Sequence, residues 1–300
     1  MKNLIYLFLL LWLLPSCKED FPVPDTPPLF TFGLVTDVQY ANIENAGTRY
    51  YRLSPAKLAK AVEDFNREEV DFVINLGDFI DQNVENFDTL SKISGRLKMP
   101  LYHITGNHDW DGNTDNHSRL LATLHMPSFY YAIARDGWRI LCLNGNEVGV
   151  NMWKPGSAEY VASQAYLDSI TLAGNANAYY WNGAMGKGQV AWLQHQLDTA
   201  RLNHERVLIT CHFPLYSNNP TETLWNRVDV LRLIERYPEV FGWFCGHGHT
   251  SQFYLRNGVN HVMFRGMVEE DENGWAVVTV YDKYIHIQGK GREKSRWLED

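Results

Sequence analysis

Five short polar motifs, each placed directly after an apolar run, constrain this chain more than any other feature. In order they are Asp37-Val38-Gln39, Gly77-Asp78, Gly106-Asn107-His108-Asp109, Cys211-His212-Phe213-Pro214 and Gly246-His247-Gly248-His249. The preceding runs, at 30–36, 72–76, 101–105, 207–211 and 240–245, read as β-strands. In open α/β sheets, ligand-binding residues gather at the carboxyl ends of strands. Five such ends would therefore deliver two Asp, one Gln, one Asn and three His to a single crevice. That donor set is enough to hold two divalent metals side by side, an arrangement suited to phosphoryl transfer.

Further strand signals lie at 130–134, 138–144, 259–264, 275–280 and 284–288. Helical patterns fall at 54–65, 88–97, 160–171, 187–202 and 224–236, the first opened by Ser54 as cap and Pro55 at the first helical position. Strands alternate with helices early and follow one another late, which predicts an α/β fold of packed sheets with helices outside. With 300 residues and 45% apolar content the chain can bury one large core. No internal repeat or second linker divides it, so one domain is expected over residues 29–300.

The formal charge of -8 argues against a nucleic-acid polymer as partner, since binding one takes a basic face. A small phosphorylated substrate stays compatible, because bound metals supply positive charge that the residue count omits. Residues 1–16 read as a targeting segment: Lys2 precedes the apolar run 4–14, which is too short to span a bilayer as a mature helix. The run ends in Leu14-Pro15-Ser16-Cys17, which resembles the lipobox of bacterial lipoproteins. That resemblance implies cleavage before Cys17, acylation of its thiol, and an exported protein anchored to the outer membrane, periplasmic or surface-exposed. Lys18-Glu19-Asp20 resembles the surface-export signal of some Gram-negative lipoproteins. Four prolines within 21–28 make residues 17–28 a lipidated cysteine and an extended tether. Cys142, Cys211 and Cys245 sit in apolar runs and read as buried free thiols, and no CxxC pair offers thiolates to a metal.

Asp78 is best placed to bridge two cations, because one carboxylate offers two oxygens. Asp37 and Gln39 alternate across one residue and so point to the same side of an extended segment, as do His247 and His249. Asn107 offers a neutral oxygen and His212 an imidazole. Glycines at 77, 106, 246 and 248 would let the backbone turn sharply and bring these groups close. His108 is left over as a group that stabilises phosphoryl oxygens or protonates a leaving group. Either Asp81 or Asp109 would orient its ring. Arg49 and Arg52 are candidates to grip a second phosphate, with pairing to Glu44 or Glu63 as the alternative. Trp110 is a candidate to stack on a base. The histidines at 103, 117, 125, 195, 204, 261 and 286 read as structural.

The series D-x-[HQ], GD, GNH[DE], H and GHxH resembles the signature of the calcineurin-like metallophosphoesterases, spread here over residues 30–250. The resemblance implies a four-layer α-β-β-α sandwich of two mixed sheets flanked by helices, with a dinuclear metal site at the carboxyl ends of the strands. It implies one metal on Asp37, Gln39, Asp78 and His249 and another on Asp78, Asn107, His212 and His247, with a bridging hydroxide attacking phosphorus in line. Gln39 stands where most such proteins have histidine; an amide oxygen is a harder donor and favours Mn²⁺ or Mg²⁺ over Zn²⁺. Gln82 stands where protein phosphatases carry arginine, which argues against a protein substrate.

Asp37-Val-Gln39-Tyr40-Ala41, Gly47-Thr48-Arg49-Tyr50-Tyr51-Arg52, Asn182-Gly183, Leu224-Trp225-Asn226 and Gly266-Met267-Val268-Glu269 are similar to the manganese-dependent ADP-ribose/CDP-alcohol diphosphatases. That narrower resemblance implies hydrolysis of nucleoside-diphosphate conjugates with two divalent ions, Mn²⁺ favoured and Mg²⁺, Fe²⁺ or Zn²⁺ possible, by a monomer. The alternative reading keeps the metals and takes a phosphomonoester or phosphodiester of a nucleotide, sugar or lipid headgroup.

Overall fold

A computed structural model of the chain describes residues 26–299. The leader, Cys17 and most of the proline-rich tether lie outside the described residues. The first half alternates: β1 (Phe30–Val35), α1 (Ser54–Glu68), β2 (Phe72–Asn75), α2 (Asn86–Ser94), β3 (Leu101–His103) and α3 (His117–Thr123). The hairpin of β4 (Tyr131–Arg135) and β5 (Trp138–Cys142) leads to α4 (Ala158–Leu172), α5 (Lys187–Asn203), β6 (Arg206–Thr210), α6 (Arg227–Ile234) and β7 (Val240–Cys245). Consecutive strands close the fold: β8 (Gln252–Arg256), β9 (Val259–Met263), β10 (Gly274–Val280), β11 (Tyr284–Gly291) and β12 (Arg296–Glu299).

Two six-stranded sheets form, ordered β12-β11-β10-β1-β2-β3 and β4-β5-β6-β7-β9-β8. Both are mixed. β1, β2 and β3 run parallel, as do β5, β6, β7 and β9, while the flanking strands are antiparallel. Parallel neighbours place their carboxyl ends on one edge, and the five motifs begin there. The sheets pack face to face through Phe32, Leu34, Ile140, Leu208, Phe244 and Val278, all essentially without solvent exposure. α1 covers the outer face of the first sheet, where Gly33 has no side chain and leaves room for the Phe65 ring. α5 and α6 cover the second sheet through Leu193, Leu197 and Ile234, against Ile209 and Trp243. Strands covered on both faces read as unbroken apolar runs, which is why all six residues of β7 are buried. The α-β-β-α order expected from the sequence is the order found. No helix among the described residues is long and apolar enough to cross a membrane.

Three elements escaped the periodicity. β8 exposes Phe253, Tyr254 and Leu255 at a sheet edge, so its apolar residues carry no burial pattern. β12 and α3 span only four and seven residues. Ser54 is not the cap of α1: a 3₁₀ turn at Tyr51–Leu53 runs straight into the helix, so Ser54 is already its first residue.

Candidate metal centre

The motif backbones are bound to one another before any side chain is considered. Asp37 N–H donates to Gly77 C=O at 3.0 Å and Gln39 N–H to Asp78 C=O at 2.9 Å, so the first motif lies along the second. Asp37, Gln39, Asp78, His247 and His249 all adopt left-handed backbone, with φ between 42° and 70°. Each such residue stores on the order of 1–3 kcal/mol of strain, a feature that concentrates at functional sites. Of the four motif glycines only Gly77 has a positive φ. The other three are needed for space: a Cβ on Gly106 would collide with the Asp78 carboxylate, and one on Gly246 with Thr36 and Asp37. The expectation of sharp glycine turns is corrected accordingly, since most of the turning falls on the donors themselves.

The two buried carboxylates are each held by one oxygen while the other faces inward. Asp37 Oδ2 accepts from Thr36 Oγ1 at 2.7 Å and from His247 N–H at 3.1 Å. Its Oδ1 has no hydrogen-bond donor and lies 3.1 Å from His249 Nε2. Asp78 Oδ1 accepts from His108 N–H at 2.8 Å, leaving Oδ2 3.2 Å from His212 Nε2 and 3.0 Å from the Gln39 amide. Gln39 Oε1 and Asn107 Oδ1 are likewise buried without a donor. Orphaned acceptors of this kind are expensive to bury unless something positive meets them.

Every histidine of the set is anchored through its other nitrogen. His212 Nδ1 faces Leu76 C=O at 2.9 Å, His247 Nε2 faces Asn182 Oδ1 at 3.0 Å and His249 Nδ1 faces Glu269 Oε1 at 2.6 Å. An oxygen acceptor fixes the N–H on that side and turns the lone pair of the opposite nitrogen inward, as metal-binding imidazoles require. The Asn182 orientation is itself set, because Nδ2 donates to Asn177 C=O and Thr221 C=O. His247 Nδ1 and His212 Nε2 then stand 3.2 Å apart. Donors sharing an ion at ~2.1 Å are separated by about 3 Å. The donor set therefore fits divalent cations, with Asp78 central.

The electrostatics agree. Burial opposes ionisation of Asp37 and Asp78, yet the surrounding imidazoles outweigh it and hold both carboxyls below the usual range. Burial also opposes charge on His212 and His249, but Asp78 and Asp37 raise them to about 9, so a bound cation would have to compete with a proton for their inward nitrogens. Burial and the neighbouring His212 keep His247 neutral.

His108 borders the same crevice. Its Nδ1 lies 3.3 Å from Asp81 and 3.4 Å from Asp111. Burial disfavours its charge, but Asp78, Asp111 and Asp81 together hold the imidazolium well above the ordinary histidine value. Asp109 faces away from His108 and accepts backbone N–H groups instead. The carboxylate sharing His108 with Asp81 is Asp111, which its spacing in the sequence does not single out. Asp111 also accepts from the N–H of Gln82, itself in left-handed backbone.

A cavity of about 470 Å³ opens over the donors, lined among others by Arg49, Asn151, Tyr180, Trp181, Asn219 and Glu222. Arg49 reaches it with Nε 3.7 Å from Glu269. Burial raises the Glu269 carboxyl, but His249, Thr48 and Arg49 outweigh this and bring it down to about 2. Two substrate-side expectations do not survive. Arg52 pairs with Glu44 and Asn42 on the surface, because its loop turns it away from the cavity. Trp110 is 1% exposed, packed against His117 and Phe129, and so is core. The aromatic wall is Trp181, stacked on Tyr179 at 4.3 Å, beside Tyr180. Three successive aromatics before Asn182-Gly183 were the available signal for it. His117 is tied to Met152 C=O and is structural.

The chain is similar to known proteins in sequence and in fold. The profile described as calcineurin-like phosphoesterase matches residues 30–251. The manganese-dependent ADP-ribose/CDP-alcohol diphosphatase of Homo sapiens is 28% identical, over 93% of this chain and 96% of its own length. Its counterpart of that name in Arabidopsis thaliana is 26% identical, over 91% of this chain and 98% of its own length. In fold, the crystal structure of a dimetal phosphatase from Danio rerio superposes with a TM-score of 0.82 at 24% identity, covering 91% of this chain and 99% of that one.

Proposed function

Since the chain belongs to the calcineurin-like phosphoesterase family, and is thereby a metallophosphoesterase, we propose that it hydrolyses the P–O–P link of nucleoside-diphosphate conjugates. The substrates would be of the ADP-ribose and CDP-alcohol type, with Mn²⁺ the favoured ion. One observation carries this reading: a single cavity holds the donor cluster, the Arg49 guanidinium and the Tyr180–Trp181 wall. A phosphomonoester needs only the donors. A nucleotide diphosphate also needs a cation for its second phosphate and aromatic faces for its ends, Tyr180 being the one offered to the base, and about 470 Å³ suits a ligand of that size.

Asp37, Gln39, Asp78 and His249 would hold one ion, and Asp78, Asn107, His212 and His247 the other. When bound, two divalent ions supply charge neutralisation and Lewis acidity at the phosphoryl group. The chain's own groups do the rest. Arg49 orients the outer phosphate, and Glu269 keeps Arg49 and His249 in register. His108, favoured as imidazolium by Asp78, Asp111 and Asp81, lines the cavity and donates its proton to the departing phosphate oxygen. We also propose that the domain is exported and lipid-anchored, on the strength of Leu14–Pro15–Ser16–Cys17.

The test is turnover of ADP-ribose, CDP-choline and p-nitrophenyl phosphates by purified protein with Mn²⁺. Release of AMP and CMP at rates above those on the nitrophenyl esters supports the diphosphatase reading. Turnover of the nitrophenyl esters alone would replace it with a phosphomonoesterase or phosphodiesterase.

A further inference from the structure

Glu222 is out of place in a cavity that receives phosphates. It closes the 3₁₀ turn Pro220–Glu222 and lines the cavity beside His249. The other carboxylates lining that cavity have partners already: Asp78 sits among the metal donors, and Asp81 and Asp111 face His108. Glu222 forms no ion pair among the described residues. It accepts only neutral donors, Asn219 Nδ2 at 2.8 Å and Ser217 Oγ at 3.1 Å, which fix its orientation. The chain also makes room for it. A Cβ on Gly248 would stand 2.5 Å from Glu222 Oε2, so the carboxylate presses against the loop that carries His247 and His249.

Trp181 lines the same cavity as the carboxylate. The Thr221 carbonyl accepts Trp181 Nε1–H at 3.3 Å and Asn182 Nδ2 at 2.7 Å, tying the backbone before Glu222 to the aromatic wall. A carboxylate raises the cost of binding an anionic substrate, unless the substrate carries a positive group that lands on it. A neutral amide would accept ribose or glycerol hydroxyls without that repulsion. A carboxylate and an indole lining one cavity are instead the pairing that recognises an ammonium, by Coulomb attraction from the one and cation–π attraction from the other.

We infer that Glu222 and Trp181 form a subsite for an ammonium or trimethylammonium group at the far end of the substrate. The enzyme would then favour amino-alcohol conjugates over neutral polyol conjugates. This rests on the diphosphatase reading above.

The full chain with Mn²⁺ and its Glu222→Gln and Glu222→Asp variants are compared on CDP-choline and CDP-glycerol. The ratio of kcat/KM for CDP-choline over CDP-glycerol should fall about tenfold in Glu222→Gln, mostly through KM, and less in Glu222→Asp, which keeps the charge. An unchanged ratio would overturn the subsite, whether both substrates suffer equally or neither does. Should the parent protein hydrolyse neither conjugate, the diphosphatase reading fails by itself. Calorimetric binding of phosphocholine and glycerol phosphate then decides the subsite. A preference for phosphocholine that disappears in Glu222→Gln supports it, and equal binding of the two ligands overturns it.

Discussion

Asp109 Oδ2 accepts the backbone N–H of Asp78 at 2.9 Å, and the same carboxylate takes the N–H groups of Phe79, Ile80 and Gly106. One buried side chain thereby clasps the second and third motifs together and holds Asp78 in its left-handed backbone conformation. Of the two carboxylates expected to orient His108, Asp81 faces its ring, whereas Asp109 shapes the turn that presents the central carboxylate.

Replacing Asp109 should therefore damage architecture before chemistry. Asp109→Ala leaves four buried N–H groups without an acceptor, at roughly 1–3 kcal/mol apiece. Unfolding in urea should show a loss of at least about 3 kcal/mol, accompanied by weaker Mn²⁺ binding. A variant with parental stability and affinity would contradict the clasp.

The imidazole anchors should matter for metal more than for folding. Glu269→Ala and Asn182→Ala remove the acceptor from one ring nitrogen of His249 and His247 respectively. Mn²⁺ affinity measured by calorimetry should fall about 10–100-fold in each, with far-ultraviolet circular dichroism unchanged. Affinities within twofold of the parent would show that the anchors do not orient these rings.

Trp110 and Trp181 should separate cleanly. Trp110→Ala empties a core site and should cost about 3–5 kcal/mol of stability. Trp181→Ala removes an aromatic face of the cavity, worth about 0.5–2 kcal/mol against an ammonium, and should raise KM for CDP-choline several-fold or more at nearly constant kcat. The reverse pattern would return Trp110 to the substrate.

His103 should make folding sensitive to acid. Burial, and secondarily the charge of His125, lowers its pKa to about 3, and its Nδ1 accepts from Asn75 Nδ2 at 3.1 Å. The unfolded chain takes up this proton near the ordinary value of about 6.5, whereas the folded chain refuses it down to about 3. Stability from this group is thus complete above pH 6.5 and is lost as pH falls toward 3, by up to about 1.4 kcal/mol per pH unit. His103→Phe should remove that slope in urea titrations run with chelator, and an identical slope in both proteins would refute the assignment.

The leader makes a separate prediction. Cys17→Ser should abolish incorporation of labelled palmitate and shift the protein from the membrane fraction to the soluble one. Labelling that persisted without Cys17 would rule out the lipoprotein reading.

The donor set was legible because its chemistry is written locally. Asp37, Gln39, Asp78, Asn107, His212, His247 and His249 each follow an apolar strand run, and parallel strands have no choice but to bring those ends together. What faces what was not legible. Asp81, Asp109 and Asp111 lie within two short loops, and sequence spacing cannot say which carboxylate meets a ring and which meets backbone. Only the packed loops decided that Asp81 and Asp111 share His108 while Asp109 binds four N–H groups. The same holds for the aromatics. Trp110, Trp181 and Trp225 look alike along the chain, yet burial between elements distant in sequence makes core of two and leaves Trp181 on the cavity wall. The sequence by itself determined which donor types gather at the strand ends, since donor type is a property of each residue. Tertiary structure alone decided orientation and access, since those depend on the neighbours that the two sheets bring together.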